Sequence, residues 1–293
     1  SLFGIVVFGH GPAPPACEDA RRRFIATENR PVANWSDEGA WLTCVTRPSV
    51  PLRHLAGSPS GRYHVALAGT LHYRSDLARR LGSGSPALEC DAALAAHAWE
   101  KWEERAPEFL EGEFCLAVID RVDRAVTLVQ SRVEYAPLYY AHADELIGFS
   151  TRMLPLRALP GVGSALDVGG FVRLLSRYDI QANALHRTCL RHVDSLPAAM
   201  WRRATRGNAR SHEYWAPDPD AITPVTSDHG VYEEIRARLR AAVAERVDRE
   251  RVVASELSGG LDSSSVTCVA AGDAGTARAI VGVSAVLGEN CED

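Results

Sequence analysis

Ser258-Gly259-Gly260-Leu261-Asp262-Ser263-Ser264-Ser265 is the stretch whose reading decides the fold. The run Val252 to Leu257 precedes it and Val266 to Ala271 follows it, with a further apolar run at Ala279 to Val286. This order predicts a strand over 252–257, a helix over 262–271 and a strand over 279–286, the βαβ unit of a parallel sheet. Two glycines directly after a strand let the backbone turn tightly and come close to a ligand. The helix starting there aims its unbonded N–H groups and positive dipole end at the loop. That is an anion site, and phosphate is its usual occupant. Ser258, Ser263 and Ser264 add hydroxyl donors. Asp262 would repel a phosphate unless a cation lies between them, which points to phosphate-bound Mg2+. The spacing is not that of a Walker A loop, and no lysine follows the glycines. The plain alternative is a strand–turn–helix junction capped by serine and aspartate.

Working outward, Val231 to Val247 has apolar or alanine residues at 231, 235, 239, 242, 243 and 247, a helical spacing. Prolines punctuate 215–224 and 154–167. The chain therefore divides into a first domain over 1–160, a connecting segment over 161–224 and a second domain over 225–293. One helix and one βαβ unit are little for an α/β domain, so more of it is expected beyond Asp293. In the first domain, Phe3–Phe8, Tyr63–Gly69, Phe114–Asp120 and Ala125–Val129 read as strands, the last two as a hairpin. Ser75–Leu81, with Ser75 as N-cap, and Cys90–Glu104 read as helices, and Asp167–Arg177 as another.

Apolar residues make up 46% and charged residues 24% of the 293, as in soluble globular proteins, and the formal net charge is −5. That balance argues against a nucleic-acid binder working through a basic surface. No apolar stretch reaches the ~18 residues of a membrane helix, so no membrane association is expected. The start lacks a basic region, so no signal peptide is expected either. The seven cysteines form no C-x-x-C pair, and the histidines have no metal-ligand spacing. A reducing, cytoplasmic location fits, with no protein-held metal site.

S-G-G-L-D-S-S at 258–264 resembles the pyrophosphate-binding loop of the ATP-pyrophosphatase superfamily. With Ser265 it resembles the asparagine-synthetase branch, in which a glutaminase-type domain precedes the synthetase domain. Weaker matches run through the first domain. Phe3-Gly4-Ile5 resembles C-G-I, and Ala68-Gly69-Thr70-Leu71-His72-Tyr73 resembles N-G-E-I-Y-N. Glu113 to Asp120 resembles G-x-F-A-x-x-x-x-D, and Arg132 to Tyr140 resembles R-D-x-x-G-x-x-P-L-Y-Y. The resemblance implies an α+β N-terminal-nucleophile (Ntn) type αββα sandwich followed by a partial α/β ATP-pyrophosphatase synthetase domain. It implies ATP and Mg2+, with ATP held by Leu257, Ser258, Gly259, Gly260, Asp262, Ser263, Ser264, Val283 and Ser284. Mg2+ would be bridged to Asp262 through the pyrophosphate. The assisting lysine and acidic residues would lie beyond Asp293.

Departures from the family pattern matter as much. The position of the nucleophilic cysteine is Phe3, and the asparagine of N-G is Ala68. No R-G-P-D lies between residues 20 and 60. The substrate-binding aspartate is shifted or replaced near Glu89-Cys90-Asp91. None of Cys17, Cys44 or Cys115 is placed to substitute. The resemblance thus implies a degenerate glutaminase domain. Relatives that lost this activity use an amine already present in the substrate. Lasso-peptide cyclases and β-lactam synthetases are two such groups. The triple serine and the strand around Val283 favour the first, a macrolactam-forming ligase. Its partners would be a precursor peptide, a leader-peptide-binding protein and a leader peptidase. The alternatives are an asparagine-synthetase-like or β-lactam-synthetase-type ligase, and an inactive ATP-binding scaffold.

Overall fold

A computed structural model of the chain describes residues 1–8, 13–28, 32–37, 39–45, 54–82, 90–134, 136–143, 145–176, 186–221, 228–247, 252–272 and 279–284. Glu89, Tyr135, Arg177, residues 222–224, Ala285, Val286 and Asp293, named in the sequence analysis, lie outside them. The chain divides into two units, Ser1–Pro217 and Asp218–Asp293.

In the first unit, β1 (Leu2–Val7) is buried along its whole length. Its side chains alternate between two cores. Phe3, Ile5 and Val7 join a core with Cys17, Ala20 and Phe24 of α1 (Pro15–Ala26). Leu2 and Val6 join a different core between two sheets. The same alternation recurs in β5 (Tyr63–Leu71), where Val65 and Leu67 face α3 (Asp91–Trp102) and Ala66 and Ala68 face the other sheet. Strands dry on both faces need a layer on each, and the result is a helix–sheet–sheet–helix sandwich.

Among the described residues both sheets have six strands. The first adds β2 (Val32–Asp37), β3 (Ala40–Val45), β8 (Leu138–Ala143), β9 (Leu146–Ser150) and β10 (Asp194–Leu196) to β1, in the order β10-β8-β9-β1-β3-β2. The second holds β4 (Leu55–Gly57), β5, β6 (Gly112–Asp120), β7 (Ala125–Gln130), β11 (Met200–Thr205) and β12 (Asn208–Glu213), in the order β12-β11-β7-β6-β5-β4. The pairings within both are antiparallel, including the expected β6–β7 hairpin. On the outside of the second sheet, alanine-rich α3 lies close enough to bury Leu94 and Trp99. Burying such a side chain is worth ~1.5–3 kcal/mol.

Three expectations need correction. Residues 194–213 are not a connection, because β10 extends the first sheet and β11 and β12 extend the second. Ser75 is not an N-cap: α2 (Arg74–Leu81) starts one residue earlier, behind Tyr73, whose left-handed backbone turns the chain into the helix. The helix from Cys90 ends at Trp102, and a 3-10 helix at Glu103–Phe109 continues from it. Cys90 is the true cap of α3, its Sγ accepting the Ala93 N–H at 3.4 Å. α4 (Val168–Ser176) is close to the expected range, with Asp167 accepting the Gly170 N–H at 3.0 Å.

Among the described residues, the second unit holds α5 (Asp228–Val247), β13 (Val253–Glu256), α6 (Leu261–Gly272) and β14 (Ile280–Val283). β13 and β14 pair in parallel, Val253 opposite Ile280 and Glu256 opposite Val283. Val243 and Val247 of α5 close a small core with Ala270, Val269, Val253 and Ile280. Ile235, although on the apolar stripe of α5, is exposed among the described residues. No helix is long and apolar enough to cross a membrane among the described residues.

One buried charge stitches the second sheet. Asp120, at the end of β6, accepts Arg62 Nε at 3.1 Å and Nη2 at 2.7 Å, and the Val122 and Asp123 N–H groups at 3.0 and 3.1 Å. Burial pushes its carboxyl up, but Arg62 and the backbone donors outweigh that, and the pKa lies below the ordinary value. A depressed pKa stabilises the fold above the unfolded value and loses that contribution as pH falls towards the folded value. Asp120→Asn is expected to cost about 2 kcal/mol at neutral pH, and the gap to wild type to narrow below about pH 4. Urea unfolding at pH 7, 4 and 3 checks both.

Candidate phosphate-binding site

The loop 257–260 is suspended between the end of β13 and the start of α6. The ladder continues one step past the strands, with Leu257 N–H donating to the Val283 carbonyl at 2.9 Å. Ser284 Oγ donates to the Leu257 carbonyl at 2.6 Å. Leu257, Val283 and Ser284 thus sit together at the carboxyl ends of the strands. Their bonds to one another hold the loop's entry.

Gly259 has a φ of +84°, a conformation that side-chain-bearing residues rarely adopt, and Gly260 does not. Gly260 N–H donates to Ser258 Oγ at 3.4 Å, and its carbonyl accepts the Ser264 N–H at 3.1 Å, which begins the helix. Ser258 and Ser263 hydroxyls are 3.0 Å apart, and Ser263 Oγ also accepts the Ser258 N–H at 3.3 Å. Ser263, expected as a phosphate donor, therefore first braces the loop. Asp262 is exposed in the first turn of α6. Among the described residues no arginine or lysine is paired to it, and a carboxylate is a donor of the kind a hard cation takes, so the residues present fit Mg2+ shared with phosphate oxygens. No cluster of three or more His, Cys, Asp or Glu side chains suits a metal among the described residues.

Two residues that the motif does not include join the loop's support. Ser255 of β13 and Thr267 of α6 have hydroxyls 2.7 Å apart, and Thr267 donates to the Ser263 carbonyl at 2.7 Å. The spacing of four between Ser263 and Thr267 was the available signal in the sequence.

In the first unit, the residues matched to a glutaminase site do not converge. Phe3 is fully buried in the helix-facing core, its ring stacked on Phe24 at 5.3 Å between centroids. Ala68 lies in the other core, between the sheets, with Leu2, Cys44 and Cys115. Asp91 is spent structurally: its Oδ2 accepts the Leu71 N–H at 2.9 Å and its Oδ1 lies 3.0 Å from Arg74 Nε. Gly69 keeps a backbone role. At φ +119° it lies so close to β6 that a Cβ would stand 2.1 Å from the Glu113 carbonyl oxygen. Burial pushes the Cys17 thiol up to about 11 and those of Cys44 and Cys115 up to about 12. At neutral pH none of the three is a thiolate nucleophile.

A glutaminase-type sandwich and a βαβ unit with a Gly-Gly loop on one chain define a class, and comparison with known proteins places the chain within it. The glutamine amidotransferase domain family matches residues 51–215, and the asparagine synthase family matches residues 234–284. The first match covers more than half of the chain, which belongs to the glutamine amidotransferase domain family, in its asparagine-synthetase-like group. Carboxyethyl-arginine β-lactam-synthase of Streptomyces clavuligerus is 30% identical over 232 residues, 78% of this chain and 42% of that protein. Asparagine synthetase [glutamine-hydrolyzing] 3 of Bacillus subtilis (strain 168) is 22% identical over 213 residues, 72% of this chain and 34% of that protein. The chain thus spans well under half the length of these curated relatives. Glutamine phosphoribosylpyrophosphate amidotransferase from B. subtilis overlays 95% of this chain and 64% of its own at a TM-score of 0.47 and 13% identity, an overlap too loose to carry an argument. The four-layer sandwich itself is the Ntn-type arrangement of the family.

Two expectations follow from the geometry. Phe3→Cys is not expected to create glutamine hydrolysis, since residue 3 faces the α1 core, and glutamate release should stay at background with and without it. Gly259→Ala is expected to destabilise the second unit by about 1–2 kcal/mol, whereas Gly260→Ala should stay within about 0.5 kcal/mol. Hydrogen exchange of the α6 amides separates the two.

Proposed function

We propose that this chain belongs to an ATP-dependent ligase that adenylates a substrate carboxylate and joins it to an amine carried by the same substrate. The reaction would close a macrolactam in a lasso precursor peptide without glutamine hydrolysis. The observation that carries the reading is the pairing of two features. A braced S-G-G-L-D-S-S loop with an uncommitted Asp262 stands on the same chain as a glutaminase-type sandwich with Phe3 at the nucleophile's position. Loss of the ammonia source leaves the loop useful if the amine comes with the substrate.

In this reading the α6 N-terminus and the N–H groups of the loop receive the pyrophosphate of ATP. Bound Mg2+ would neutralise phosphate charge next to Asp262. The substrate carboxylate attacks the α-phosphorus, and pyrophosphate leaves. The amine then displaces AMP from the acyl-adenylate, losing a proton as the amide forms. This chain's share of the work is to position the phosphates and offset their charge. A precursor peptide, a leader-peptide-binding protein and a leader peptidase are the proposed partners, in the cytoplasm. The similarity to a β-lactam synthase favours a second reading, ring closure within a small β-amino acid.

The test is AMP and pyrophosphate release by the full-length protein with ATP and Mg2+, in parallel with a linear precursor peptide, a β-amino acid, and aspartate plus ammonia. Peptide-dependent release with loss of one water from the peptide is the expected result. Release with only the β-amino acid or only aspartate and ammonia would replace the reading with the corresponding ligase. Silence with all three would make the chain a binding scaffold. Asp262→Ala is expected to lower turnover by roughly a hundredfold or more; retained turnover would remove its role beside the metal.

A further inference from the structure

We infer that Thr267, through Ser255 and Ser263, is a positioning residue that holds the phosphate loop in its binding shape. The inference rests on the reading of 258–264 as a phosphate site. Each hydroxyl has one hydrogen, and counting hydrogens fixes the direction of every bond. The Ser263 carbonyl can only accept, so Thr267 donates to it, at 2.7 Å. Ser255, 2.7 Å from Thr267 Oγ1, must then donate to Thr267. This makes a directed bridge from the middle of β13 to the first turn of α6, behind the loop and half-buried.

Beyond the bridge, Ser263 holds the loop itself. Its hydroxyl donates to the Gly260 carbonyl at 3.3 Å and accepts the Ser258 N–H at 3.3 Å. Ser258 Oγ donates to Ser263 Oγ at 3.0 Å and accepts the Gly260 N–H at 3.4 Å. Ser263 is thus anchored through its carbonyl by Thr267, while its side chain sets the turn at Ser258 and Gly260. Two adjacent glycines make this turn costly to order, and a turn ordered before binding keeps that cost out of the affinity. Thr267 is one helical turn behind Ser263, so its effect reaches the loop through the Ser263 carbonyl, with Ser255 fixing Thr267 from β13.

Calorimetric titration of Mg2+–ATP into the full-length protein tests this, together with the thermal midpoint of each ligand-free variant. Thr267→Val keeps the shape and removes the hydroxyl. It is expected to weaken ATP binding about tenfold, the scale of one lost polar contact, with an unchanged midpoint. Thr267→Ser restores the hydroxyl and should return affinity to within about twofold of wild type. Ser255→Ala should behave like Thr267→Val. Wild-type affinity in Thr267→Val would overturn the inference. So would equal weakening in the Val and Ser variants in step with lowered midpoints, since that is loss of packing. No binding by the unchanged protein would instead overturn the reading of the loop, and the positioning role with it.

Discussion

Two-sided burial is the constraint on which the first unit depends. β1, β5 and β6 are central strands in antiparallel sheets, and both faces of each are dry. Successive side chains must therefore satisfy two different cores. The sizes on the two faces differ accordingly. On β5 and β6 the inter-sheet face carries Ala66, Ala68, Cys115 and Ala117, and the helix face carries Val65, Leu67, Phe114 and Leu116. Small side chains on one sheet leave room for Leu42, Ile147 and Phe149 from the other.

That parity also accounts for the state of the glutaminase-like site. Phe3 and Ala68 belong to opposite sides of the first sheet, and each serves its own core. The side chains at both positions are committed to packing. Asp91 is likewise engaged within the fold, with Arg74 Nε 3.0 Å from its Oδ1 and its Oδ2 accepting the Leu71 N–H. Gly69 is retained because the backbone of β6 occupies the space that a side chain would need.

In the second unit the polar side chains of 258–263 are concentrated in a turn. Its glycines permit the backbone path, and its hydroxyls limit it. The polar side chains differ in their engagement: Ser258 and Ser263 bond one another, while Asp262 stays open to solvent. Thr267 and Ser255 lie outside the motif and tie the helix to the strand. The loop is thus a hydroxyl-braced turn that presents one exposed carboxylate.

The strand, loop and helix around Ser258 were legible in the sequence, as were β1, β5, β6, β7 and α3, because each carries its own local pattern. Glycines after an apolar run, a period of two and an alanine-rich face are properties of consecutive residues. Only the tertiary structure decided the rest. β10, β11 and β12 are short and partly polar, and β12 is largely exposed; they become strands because β8, β7 and β11 in turn offer them open edges. Tyr73 rather than Ser75 opens α2 because the chain must turn out of β5 there. Thr267 acquires its partner in β13 only when the helix folds back on the strand. Hydrogen bonds between residues distant in sequence have no periodicity to read, since their partners are set by packing.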